Sequence, residues 1–270
     1  MKKNLFYVPL LAMFSGLQLS AQQKVFFQDS PNFRNFSEIV NAEGKKIKTN
    51  IYRSGSFSNL NEDEKKQFKN LHITTIVDFR NDFEITREPD YVPAESHIEV
   101  KNAPIGDIGS KSMQGFMKAL AKPDFGAQQA DSLMVDANKS FVANIADFKP
   151  FFESLKDDKS VVLFHCSAGK DRTGFAASMF LHILDVPKDE IMNDYLKSNE
   201  AVQYVDDKKL AMYGIPAEKM KLLMGVKASY LEAAWNDVAA KYGSVDNMLL
   251  KEFGIDASTK QLIKNKYLIN

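Results

Sequence analysis

Short apolar, β-branched runs alternate along this chain with longer stretches whose apolar positions recur every three or four residues, the pattern of strands separated by helices. The strand-like runs are Asn50-Ile51-Tyr52-Arg53, Thr75-Ile76-Val77-Asp78-Phe79, His97-Ile98-Glu99-Val100 and Val161-Val162-Leu163-Phe164. Between the first two, Asn61 to Leu71 reads as a charged helix with a visible start signal: Asn61 at the cap and Glu64 three residues on can exchange hydrogen bonds in a capping box. After the last strand, Phe175 to Leu184 is apolar nearly all round, so it predicts a buried helix. From Val186 to Asn270 the pattern stays helical, and Tyr230, Ala234, Val238 and Tyr242 recur at helix spacing with Trp235 beside them, which makes them core residues. Strands regularly separated by helices give an α/β fold, a mainly parallel central sheet of about four or five strands flanked by helices, with a site at the C-terminal strand ends.

Ile108 to Phe148 is a long excursion before the last strand, punctuated by Gly109, Gly115, Pro123 and Gly126 and carrying Met113, Phe116, Met117, Leu120, Phe125, Leu133 and Met134. It reads either as a helical lid over a pocket or as a helical pair packed on the core. No repeat, low-complexity tract or linker divides the 270 residues, whose 44% hydrophobic content suffices for one full core. At the start, Met1-Lys2-Lys3, the apolar run from Leu5 to Leu17 and the small Ala21 before Gln22 read as a secretory signal peptide over residues 1–21, leaving a catalytic domain over 22–270. Pro9 and Gly16 interrupt that run, so no permanent membrane span is expected once the leader is removed, and the product is expected in the periplasm or fully secreted. The 35 basic and 35 acidic residues balance, so no nucleic-acid partner is implied.

The chemistry is concentrated in His165-Cys166-Ser167-Ala168-Gly169-Lys170-Asp171-Arg172-Thr173-Gly174, between the last strand and the buried helix. A loop wrapping onto a helix N-terminus aims backbone N–H groups at one point and adds partial positive charge there, which favours an anion of phosphate size. Ser167, Ala168, Gly169, Lys170, Asp171 and Arg172 are the expected phosphate binders; Gly169 lets the loop close, and the Arg172 fork can hold two phosphate oxygens at once. The same field favours a thiolate at Cys166, the sole cysteine, which cannot form an intramolecular disulfide and is placed to attack phosphorus. Thr173 is placed to donate its hydroxyl to the sulfur, and His165 is expected to direct its polarity at the loop backbone and orient it.

These residues resemble the Cys-x5-Arg phosphatases, and within them the secreted bacterial tyrosine phosphatases that carry Ala-Gly-Lys-Asp-Arg-Thr in the loop, nearest to the mycobacterial type B group. Asn32-Phe33-Arg34, Tyr52-Arg53-Ser54-Gly55, Val77-Asp78-Phe79-Arg80 with Glu84, Asp194 to Asn199, and Tyr230 to Ala234 running on to Tyr242-Gly243-Ser244 match the same group. Asn35 departs from it, standing where the family usually has an acidic residue. The resemblance implies a tyrosine-phosphatase-like fold and hydrolysis of phosphotyrosine in proteins, with dual specificity open.

Protonating the leaving oxygen requires an acid. Asp107 is the first candidate, since Pro104-Ile105-Gly106-Asp107 follows a strand on the active-site side and resembles the position of the family's acid; its alternative is a turn-capping aspartate. Asp171, inside the loop, either delivers a proton or pairs with Lys170, and Asp78 is a third candidate whose commoner explanation is a bond to Arg80. An acid working beside a thiolate predicts a bell-shaped dependence of rate on pH. No cofactor and no metal are expected, because the sequence shows no cluster of His and carboxylates at metal-ligand spacing. Lys170 as a second cation also suits a phosphoinositide substrate. Two readings from other classes are a rhodanese-type sulfurtransferase, whose loop lacks this run, and a non-catalytic phosphate-binding module.

Overall fold

Four parallel strands set the frame, and their ends place the loop described above. This computed structural model describes residues 27, 28, 30–106, 118–204 and 216–269. The strands are β1 (Arg34–Asn35), β2 (Ile51–Ser54), β3 (Thr75–Asp78), β4 (Glu99–Asn102) and β5 (Val162–His165), in the sheet order β1-β2-β5-β3-β4. Only β1 is antiparallel to its neighbour. The central strand β5 aligns His165 with Ser54 on one side and Asp78 on the other, and Asp78 aligns in turn with Asn102. The chain therefore leaves three neighbouring strands side by side, at Gly55, Cys166 and Phe79, along the C-terminal edge of the sheet.

Strands β2, β3 and β5 are buried throughout, as expected for parallel strands covered on both faces. Their alternation divides the interior. Ile51, Val77, Val162 and Phe164 face a large core with Phe36, Phe79, Phe148, Phe151, Phe175 and Phe180, while Tyr52, Ile76 and Leu163 face a smaller one with Phe27, Phe33, Phe57 and Phe68.

The described helices are α1 (Glu62–Asn70), α2 (Asp82–Arg87), α3 (Ala127–Ala143), α4 (Lys149–Lys156), α5 (Arg172–Ile183), α6 (Lys188–Leu196), α7 (Ala217–Met224), α8 (Ala228–Tyr242), α9 (Val245–Phe253) and α10 (Ala257–Tyr267). The expected capping box on α1 forms, with Asn61 and Glu64 bonded reciprocally, and α2 has a second one from Asn81 and Glu84. In α5 every residue except His182 is buried. Gly174 is required there, because a Cβ would lie 2.7 Å from the Tyr195 ring.

Two expectations shift. The strand read at His97 to Val100 lies two residues later, because its register is set by pairing along β3, and its exposed edge leaves Val100 46% accessible. The two-residue β1 has too short a pattern to be read from sequence. Within the excursion, α3 packs along α8, burying Ala130, Met134 and Phe141 in the large core, so this helix is a core element; residues 107–117 lie outside the described residues. The leader, residues 1–21, lies outside them as well. No helix among the described residues is long and apolar enough to cross a membrane.

Candidate active site

Cys166 to Asp171 link β5 to α5, and the walls of this loop are backbone. Gly169 has φ +66°, and a Cβ on it would lie 2.4 Å from the backbone C and O of Ser54, so only glycine fits. Gly55 is confined too, with Ser167 O 2.9 Å from its missing Cβ.

Three successive carbonyls of the loop are tied to the scaffold. The Ser56 N–H donates to Ser167 O at 3.0 Å. Asn32 Nδ2 donates to Ala168 O at 3.3 Å and to Gly169 O at 2.8 Å, and Arg53 Nη2 reaches Gly169 O at 2.8 Å. In a trans peptide the N–H points opposite to the carbonyl, so the N–H groups of Ala168, Gly169 and Lys170 turn the other way. None of these three donates to an acceptor among the described residues. Beside them begins α5. The arrangement is a concave set of free donors with a helix N-terminus at its side, which suits an anion, and Cys166, 3% exposed, stands at its strand end.

Arg172 is held by one edge. Its Nη1 donates to Phe79 O at 3.0 Å and Glu84 Oε2 at 2.9 Å, and its Nη2 donates to Glu84 Oε1 at 2.6 Å. A guanidinium has five N–H donors, so, among the described residues, Nε–H and the second Nη2 hydrogen remain without a partner on the opposite edge, the bidentate pair that a phosphate requires. Ser167 Oγ also donates to Glu84 Oε1, at 2.5 Å. Burial alone would push the Glu84 carboxyl up, but the hydrogen bonds and charge of Arg172, with the bond from Ser167, bring it down to about 2. Burial works against the Arg172 charge, and Glu84 outweighs it, raising the guanidinium above its ordinary value.

Next to this pair lies a buried group made of Asp78, Arg80, Asp90 and His165. Arg80 clasps Asp78 through Nε at 2.9 Å and Nη2 at 2.7 Å, and Nη2 also bonds Asp90. Burial pushes the Asp78 carboxyl up, but His165 and Arg80 more than offset it, so the group is held below the usual carboxylate range; Asp90, also repelled by Asp78, stays above it. His165 differs from expectation. Its ring makes no hydrogen bond to the loop backbone: Nε2 stands 3.4 Å from Asp90 and 3.6 Å from Asp78, and the ring meets Phe57 edge-on. Asp78, Asp90 and His165 bring three potential ligand atoms within 4.8 Å of one another, a grouping not legible in the sequence spacing. Arg80 already bonds both carboxylates and supplies the positive charge a metal would bring.

Lys170 Nζ pairs with Asp171 Oδ2 at 2.6 Å, and the buried Asp171 Oδ1 has no partner among the described residues. Thr173 Oγ1, next to the loop, is buried and has no partner among the described residues. Asp107 lies outside the described residues, but the chain approaching it is placed: the Ile105 N–H donates at 3.1 Å to Phe79 O, the same carbonyl that receives Arg172 Nη1.

Five residues that hold this site had no role assigned from sequence. Glu84 clamps Arg172, Asn32 and Arg53 bind loop carbonyls, and Asp194 joins Arg53 (2.5 Å) to Arg34 (3.0 Å). Each fell inside a motif of the family resemblance, which was the available signal, but the motifs did not say what each side chain touches.

A family model described as the tyrosine phosphatase family matches residues 25–269. A protein of Cupriavidus necator assigned to the tyrosine-protein phosphatases is 30% identical over 90% of this chain and 89% of its own. The triple specificity protein phosphatase PtpB of Mycobacterium tuberculosis is 26% identical over 86% of this chain and 95% of its own. Among solved structures, P. aeruginosa TpbA aligns with a TM-score of 0.30 at 16% identity, covering 66% of this chain and 87% of that one.

Proposed function

We propose, from the premise that this chain belongs to the tyrosine phosphatase family and is a hydrolase of that kind, that Cys166 transfers the phosphoryl group of a phosphotyrosine ester to water through a phosphocysteine. The observation that carries this reading is the loop itself, with three carbonyls fastened outward, three amides free and Arg172 presenting one open edge beside Cys166. In the first step Cys166 Sγ forms a bond to phosphorus as the ester P–O bond breaks, and a carboxylic acid gives its proton to the leaving phenolate. In the second, water displaces the sulfur while the same carboxylate accepts a proton. The charge developing on the three equatorial oxygens meets the amides and the free Arg172 edge, and no metal takes part in either step.

Asp107 is the first-choice acid, supported by the course of the chain at Ile105 beside Arg172, and Asp171 is the second. Asp78 is a weaker choice, because Arg80 holds it ionised. The alternative phosphoinositide reading loses part of its support, since the charge of Lys170 is met by Asp171 at 2.6 Å and is not a free second cation. The dual use implied by the triple-specificity relative stays within the same site.

The test is Cys166→Ser together with a substrate panel. The variant is expected to lose turnover of a phosphotyrosine peptide and still bind vanadate, and the parent to prefer that peptide over phosphoserine and phosphoinositide substrates. Turnover surviving in Cys166→Ser, or thiosulfate consumed in place of phosphate release, removes the mechanism. We further propose export, on the leader pattern of residues 1–21. The mature protein recovered from outside the cytoplasm is expected to begin at Gln22; a cell-associated product beginning at Met1 contradicts it.

A further inference from the structure

Beneath the phosphate loop lies an ionic network that the reaction steps above do not use. Arg53, on β2, is completely buried, and Arg34, on β1, is 17% exposed; both bond the one carboxylate of Asp194, at 2.5 Å and 3.0 Å. Arg34 Nη2 also reaches Asp194 O at 2.8 Å, and its Nη1 bonds the Asn32 carbonyl at 3.1 Å. Two guanidinium groups share one carboxylate, so the network carries a surplus positive charge beneath the loop. Two of its members, Arg53 and Asn32, each give a 2.8 Å hydrogen bond to the same acceptor, Gly169 O.

That acceptor is the point at which the loop could fail. Gly169 has positive φ and no Cβ, so its flanking peptides have the freedom to rotate that the tight loop needs. Rotation of the Gly169 carbonyl into the hollow would replace an N–H donor by a negative end of a dipole, facing the phosphate and the thiolate. Two donors on one carbonyl oppose that rotation. We infer that Arg53, carried by Asp194 and assisted by Asn32, is a positioning residue for the phosphoryl transfer: it fixes the Gly169 peptide with its N–H side toward the anion and supplies the surplus charge under the loop. Burial and the neighbouring Arg34 lower the Arg53 guanidinium, opposed by Asp194 and Cys166, but only to about 10, so it is a cation at neutral pH. Arg53 does not touch the substrate in this assignment; it acts through the loop.

The inference rests on the phosphatase reading, and the experiment keeps the two apart. The parent and Cys166→Ser are compared first, because turnover that survives loss of the sulfur sinks the reading itself whatever Arg53 does. Arg53→Met, Arg53→Lys, Asn32→Ala and the Asn32→Ala/Arg53→Lys double variant of the mature chain are then assayed for kcat and KM on p-nitrophenyl phosphate and for inhibition by vanadate, with thermal unfolding measured on each. Arg53→Met is expected to lower kcat about 100-fold, the scale of a misplaced catalytic group, and to weaken vanadate inhibition. Arg53→Lys, which keeps the charge and one donor, recovers part of both. Asn32→Ala removes no charge; it is expected to lower kcat and weaken vanadate inhibition in the same direction. The double variant departs from the product of its singles, because both substitutions act on one carbonyl. A folded Asn32→Ala or Arg53→Met enzyme with parental kcat and vanadate inhibition overturns the inference. So does activity that follows thermal stability alone, with Arg53→Lys no better than Arg53→Met.

Discussion

At the scale of single residues, the most consequential finding is that Arg172 is shared. One edge of its fork is committed to Glu84 and Phe79 O, and the other, which has no partner among the described residues, is the edge the proposed mechanism gives to the phosphate. Glu84 is thus a fixture of the site although it faces away from the phosphate, and its removal should cost binding as well as stability. A carboxyl held at about 2 in the folded chain, against 4.5 for the free group, contributes stability that is fully present above the unfolded value and is lost as pH falls through the folded one. Glu84→Gln is therefore expected to lower stability by about 3 kcal/mol at neutral pH, the scale of breaking a buried ion pair. It is also expected to flatten the acid side of the stability profile between the two values, because glutamine does not titrate. Urea unfolding of parent and variant at a series of pH values checks this. Two profiles that stay parallel down to the acid end would mean that Glu84 contributes nothing through its charge. The rate should not follow Glu84 in the neutral range, where it stays ionised throughout.

At the scale of elements, legibility depended on how local the signal was. The box of Asn61 and Glu64 lies within four residues, and it forms as read. The loop from His165 to Gly174 was legible because cysteine, glycine and arginine fall in one run between a strand and a buried helix, and Gly169 has the positive φ that such a loop needs. The strand at Glu99–Asn102 was misplaced by two residues, since an exposed edge lets Glu99, Val100 and Asn102 face water and blurs the apolar alternation. Arg53 illustrates the remaining difficulty. An arginine in a strand reads as an outward-facing residue, and only the pairing of β2 with β5 brings it under a loop more than a hundred positions further on. Asp194 is equally remote, on α6, and reaches the same place because Tyr195 next to it packs against Gly174 at the start of α5. The polar support of the loop is thus a product of tertiary contacts, invisible to periodicity. The same reason hid the meeting of Asp78, Asp90 and His165, which come from three separate stretches of chain.

At the scale of the whole molecule, the anion site is where distant parts of the chain meet. Asn32 and Arg53 come from the N-terminal part, Glu84 from α2, Asp194 from α6 and the loop from the β5–α5 junction, with a phenylalanine-rich core on one face of the sheet and a second core on the other. A site assembled from five segments exists only while the fold that joins them is intact, so an anion bound there should stabilise the entire domain rather than one loop. For a ligand that binds only the native state, the gain at a hundredfold excess over Kd is about 2.7 kcal/mol, and for a domain of this size each kcal/mol moves Tm by about 2–4 °C. Saturating phosphate is accordingly expected to raise Tm by roughly 5–10 °C relative to chloride at equal ionic strength, in a single cooperative transition. Arg172→Met, which removes the open fork edge, should abolish most of that shift, whereas Cys166→Ser, which keeps the amides and the fork, should retain it. A calorimetric scan of the three proteins in both salts decides the matter. An equal response in all three would place phosphate elsewhere on the surface, and no response in the parent would mean that the three free amides and the guanidinium do not act together as an anion site.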